Sequence, residues 1–122
     1  TVDSGAVGPM QVNWKARAEE QGGTTNPEEL IAAAHATCYS MAFSNMLAKN
    51  ETPPTSIDTS ATVTFVPGTG ITTSELVVTA VVPGIEEEKF QELAAAAKDG
   101  CPVSQALKGN VELSVTATLA GS

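Results

Sequence analysis

The sequence predicts an α+β domain built from a mainly antiparallel sheet, a long buried central helix and a second helix. Three observations carry this expectation. Residues 10–18, 57–66 and 110–119 alternate apolar and polar side chains, the period of a half-buried strand. A further β-rich run at 71–82 is separated from the 57–66 run by Pro67-Gly68-Thr69-Gly70, which reads as a hairpin turn. Residues 26–47 and 86–99 carry helix-start signals and helical apolar spacing. The order of strands, long helix, hairpin, helix and strand fits an α+β layout better than repeated βαβ units.

Taken in order, residues 1–9 read as the end of a strand and a turn, with glycines at Gly5 and Gly8. In the following strand Met10, Val12, Trp14, Ala16 and Ala18 share one face, and Gln11, Asn13, Lys15 and Arg17 share the other. Residues 19–25, with Gly22 and Gly23, form a loop into the long helix. Asn26 suits the N-cap, Pro27 the first helical position, and Glu29 the carboxylate position of a capping box. From Leu30 onward the helix is alanine-rich and apolar on most faces, so burial on more than one side is expected. Pro53-Pro54 ends any helical continuation. In the second helix Glu86, Glu87 and Glu88 occupy the favourable first turn, Phe90, Leu93, Ala94 and Ala97 form the buried stripe, and Gly100 is the expected C-terminal cap. Cys101-Pro102 restarts the chain as a short helix to about Leu107.

Composition narrows the function classes. At 122 residues the chain is one domain's worth, and with only 4% aromatics its core must be built from small side chains. Such a domain gains from burying more surface in a dimer. A formal charge of −8 with six Lys and Arg argues against a nucleic-acid partner. No apolar run approaches membrane-spanning length and no signal peptide is visible, so a cytoplasmic location is expected.

The two cysteines, Cys38 and Cys101, stand 63 positions apart, and the single histidine, His35, makes a zinc site improbable. Residues alone leave three readings open: two inert core thiols, a structural disulfide, or a redox pair. By local context Cys101 stands at a helix start, which favours it as the more acidic thiol.

The run Thr25-Asn26-Pro27-Glu28-Glu29-Leu30, the AAAHATC run ending at Cys38 and the CPVSQAL run beginning at Cys101 together resemble the OsmC/Ohr family. His35, three residues before the cysteine, leans toward the OsmC branch. The pattern extends over nearly all of residues 1–122 as a single OsmC-like domain, although the family begins with further strand-forming residues that this sequence lacks. The resemblance implies a dimeric thiol peroxidase that reduces organic hydroperoxides in stress defence, with an external dithiol as reductant and no metal or cofactor. It also implies roles: Cys38 as peroxidatic cysteine, Cys101 as resolving cysteine, and Glu28, ten positions before Cys38, as the active-site glutamate. Arg17, the chain's single arginine, takes the place of the family's arginine in the strand before the helix.

Peroxide reduction needs a thiolate, and a cysteine within a helix gains nothing from that helix's N-terminus, so a cation such as Arg17 is expected beside Cys38. On one continuous helix Glu28 and Cys38 would be about 15 Å apart along the axis. The resemblance gathers them into one site, which implies a site shared between two chains. Rival readings are a ligand-binding module with inert thiols, and a stress-related structural protein stiffened by a disulfide.

Overall fold

The computed structural model describes residues 4–6 and 25–121. The predicted strand at 10–18, and Arg17 with it, lies outside the described residues. The long helix α1 spans Pro27–Lys49, with Asn26 as its N-cap in extended conformation. The Asn26 side chain accepts from the Glu29 N–H at 2.7 Å, and the Thr25 hydroxyl donates to the Glu29 carboxylate at 2.6 Å. The cap that the residue types promise therefore forms, and it fixes where the helix begins.

Strands β1 (Ser56–Val66) and β2 (Gly70–Val81) make the antiparallel hairpin. Its turn is closed by the Thr69 N–H on the Val66 carbonyl, and Gly68 and Gly70 take positive φ values of 83° and 112° that side chains would resist. Helix α2 (Glu87–Gly100) and the short helix α3 (Pro102–Leu107) follow, then strand β3 (Glu112–Leu119). The cap between the helices falls one residue past expectation: Gly100 is the last helical residue, and Cys101 ends α2 and begins α3. The described strands run in the order β1-β2-β3, with β3 parallel to β2. This parallel pair departs from a purely hairpin-built sheet. The two helices between the strands carry the chain back along the sheet, so β3 starts from the same end as β2.

One row of α1 faces the core, with His35, Tyr39, Phe43 and Leu47 each fully buried at four-residue spacing. Opposite them lie Leu76, Val78 and Ala80 of β2 and Phe90, Ala94 and Ala97 of α2. Phe43 touches aromatic rings on both sides, 5.5 Å from Tyr39 and 5.4 Å from Phe90 between centroids. Phe43→Ala is expected to destabilise the domain by about 3–5 kcal/mol. Urea unfolding would show this as a lower midpoint with an unchanged slope, and a loss below about 1 kcal/mol would mean that the core closes over the gap.

Among the described residues, the opposite side of α1 stays open. Leu30, Ala33, Ala34, Thr37 and Met41 form an exposed row at helical spacing, with Met41 70% and Leu30 40% accessible. The described residues thus use only part of the helix's all-round apolar character.

Candidate active site

Cys38 lies in the middle of α1, one turn from the buried row, and is half-buried. Cys101 sits at the break between α2 and α3 and is fully buried. The fold sets the two free thiols beside each other, near enough that the ionisation of each responds to the other. Pro102 explains the placement: the residue before a proline is pushed into extended conformation, and Cys101 is extended at φ −67°, ψ 123°. The chain turns there, and the sulfur meets α1.

Ionisation and access favour different sulfurs. Burial pushes the Cys38 thiol up, and donating its S–H to Cys101 pushes it further, while the Val103 N–H pulls the other way. Burial also opposes ionisation of Cys101. There it is outweighed by donation from Cys38, by the N–H and hydroxyl of Ser104 and by the Val103 N–H, so the Cys101 thiol is held below its ordinary value. Ionisation is thus favoured at the enclosed thiol and opposed at the half-buried one. The one favourable influence on the Cys38 thiolate comes from another helix, through the Val103 N–H in the first turn of α3.

Glu28 is in the first turn of α1 and only 6% exposed. A cleft of about 330 Å³ opens beside it, lined by Asn26, Ala32, Ala61, Val63 and Phe65. Because α1 is continuous from Pro27 through Cys38, the axial separation of about 15 Å stands, and Glu28 does not join the thiols of its own chain. The structure thus unites Cys38 with Cys101 and leaves Glu28 apart.

Sequence reading missed the surroundings of Cys101. His35 is fully buried, with Nδ1 2.6 Å from the Ser74 hydroxyl oxygen and Nε2 2.8 Å from that of Ser104. Burial lowers the His35 pKa from its ordinary value, which keeps the ring neutral. A signal for Ser104 was available. It stands three residues after the N-cap, the position from which a side chain reaches back to the helix start. Among the described residues no three His, Cys, Asp or Glu side chains cluster as a metal site requires, and no helix is long and apolar enough to cross a membrane.

Comparison with known proteins places this geometry. Residues 20–116 match the family described as OsmC-like protein. The chain is 44% identical over 116 residues to peroxiredoxin OsmC of Escherichia coli, covering 93% of this chain and 80% of that protein. The crystal structure of the organic hydroperoxide resistance protein OhrB of Bacillus subtilis superposes with a TM-score of 0.69 at 31% identity, covering 95% of this chain and 86% of that one. An organic hydroperoxide resistance protein from Elizabethkingia anophelis gives 0.72 at 26% identity over 97% of this chain and 85% of that one.

Proposed function

The chain belongs to the OsmC-like protein family, and from that membership and its paired thiols we propose that it is a thiol-dependent peroxidase reducing organic hydroperoxides to alcohols. The observation that carries the reading is the adjacency of Cys38 and Cys101, one half-buried and the other enclosed. A hydroperoxide reaches Cys38 first. Passing its proton to Cys101 across the S–H···S contact turns Cys38 into the thiolate nucleophile, and Arg17 is the cation proposed to hold that charge. The Cys38 sulfur attacks one peroxide oxygen, the O–O bond breaks, and a sulfenic acid forms while the alkoxide takes a proton from solvent and leaves as the alcohol. Cys101 then displaces the hydroxyl as water and closes a disulfide, which an external dithiol reduces by exchange. A pair that must return to thiols after each turnover suits the reducing cytoplasm.

The working unit is proposed to be a homodimer. The exposed row on α1 is apolar, and small side chains let a second helix approach closely. Glu28 lies too far from its own Cys38 to share a site, and a two-fold partner would carry it to the other chain's thiols, where it would orient Arg17.

The direct test follows hydroperoxide consumption with a dithiol as reductant, across a series from hydrogen peroxide to bulky organic hydroperoxides. Organic substrates are expected to show the higher kcat/KM. Each two buried CH₂ groups are worth about tenfold, from about 0.8 kcal/mol per group. Absence of turnover with every substrate would overturn the peroxidase reading and leave a ligand-binding module on the same fold.

A further inference from the structure

His35 makes two hydrogen bonds, and their directions follow once the proton of one serine is assigned. Its neutral ring carries one N–H. Ser104 stands three residues after Cys101 at the start of α3, and its hydroxyl favours the Cys101 thiolate; with its single proton assigned to that sulfur, its oxygen accepts from His35 Nε2 at 2.8 Å. On that assignment Nε2 bears the hydrogen, and Nδ1 accepts from the Ser74 hydroxyl at 2.6 Å. A one-way chain results: Ser74 O–H to His35, His35 N–H to Ser104, and Ser104 O–H to Cys101. His35, Ser74 and Ser104 are all enclosed, at 0%, 0% and 2% exposure, so water does not compete for these bonds. Each bond polarises the next, and the last is strongest when the sulfur is anionic.

We infer that His35 is a positioning residue for the resolving step: through Ser104 it holds a hydroxyl proton on the Cys101 sulfur, and so sets how fast Cys101 closes on oxidised Cys38. The inference rests on the peroxidase reading. In that step the Cys101 sulfur supplies the electron pair of the new S–S bond, and the S–O bond of the Cys38 sulfenic acid breaks. The departing hydroxide takes up the proton that Cys101 has given away, leaving as water. The chain also serves the return step. When an external thiolate attacks the Cys38 sulfur, Cys101 departs as a thiolate into a hydrogen bond already aimed at it, and a better-stabilised thiolate leaves faster. The bland alternative is that His35 simply pins α1 to β2 and α3. Such a pin would change thermal stability and leave the ionisation of Cys101 alone.

The test separates the two. Cys101 is titrated by ultraviolet thiolate absorbance in Cys38→Ser protein, where a hydroxyl remains at position 38. Among the described residues Cys38 and Tyr39, both on α1, are the titratable groups facing the Cys101 sulfur, and Tyr39 is kept in every variant. Ser104→Ala, which removes only a hydroxyl, and His35→Leu are each expected to raise the pH at which Cys101 ionises by about one pH unit. The double variant should do no more than either, and His35→Gln, which keeps a donor near the Nε2 position, should restore most of the shift. In the two-cysteine protein, Ser104→Ala and His35→Leu should slow disulfide closure about tenfold relative to the first oxidation of Cys38, and raise the overoxidised fraction. An unmoved Cys101 titration in Ser104→Ala, or closure that keeps its rate although the titration moves, overturns the inference. A parent protein that consumes no hydroperoxide while the titration still shifts would overturn the peroxidase reading and leave the hydrogen-bond chain standing.

Discussion

In the presence of dithiol, Cys38→Ser protein is expected to leave organic hydroperoxide standing, with kcat/KM lower by about a thousandfold or more. Serine keeps the shape of the site and removes the less buried of the two thiols, since Cys101 is fully buried. Cys101→Ser should behave differently. Its Cys38 takes the first equivalent of hydroperoxide, finds no partner thiol, and is driven on to the sulfinic acid. Mass spectrometry distinguishes the two: a Cys38–Cys101 crosslink in the unaltered protein after mild oxidation, and overoxidised Cys38 in Cys101→Ser. Because hydrogen bonding favours the thiolate on Cys101, the opposite assignment has a physical case. Turnover surviving in Cys38→Ser and lost in Cys101→Ser would establish it and make the enclosed sulfur the peroxide-reactive one.

Mixing two inactive chains should restore activity. Cys38→Ser lacks the proposed nucleophile, and Glu28→Ala lacks the carboxylate proposed to orient its cation. If sites are shared, each heterodimer holds one complete site, with Glu28 from one chain and Cys38 from the other. Equal mixing makes half of the dimers heterodimers with one of two sites intact, so roughly a quarter of full activity returns. The continuity of α1 from Pro27 onward gives this experiment its force, because a helix beginning later would have let Glu28 fold back toward its own thiol. No recovery, despite demonstrated subunit exchange and a real defect in each parent, would mean that each chain builds its site alone.

Much of this was legible in residue types whose meaning is local. Asn26 and Pro27 announced the start of α1, and Pro67 to Gly70 announced the hairpin. Pro102 announced α3. What escaped was decided at long range. The parallel pairing of β3 with β2 depends on how two helices cross the sheet, which alternation within residues 112–119 does not encode. His35 looked like a family marker because its partners, Ser74 and Ser104, lie 39 and 69 residues away. The half-open side of α1 escaped for another reason: apolar composition says that a face will be covered, and is silent on which chain covers it.

The meeting of Cys38 with Cys101 also matters to the chain when it is not folded. Joining them closes a loop across 63 positions. The native frame has already brought the sulfurs together, so the bond removes little freedom there. It removes far more from the denatured ensemble, an entropic restriction of about 4 kcal/mol for a loop of this size. Unfolding is correspondingly harder for the oxidised chain. Through the proposed cycle the domain therefore alternates between a fastened and an unfastened form, and the unfastened form, the one that meets peroxide, is the one closer to losing its fold.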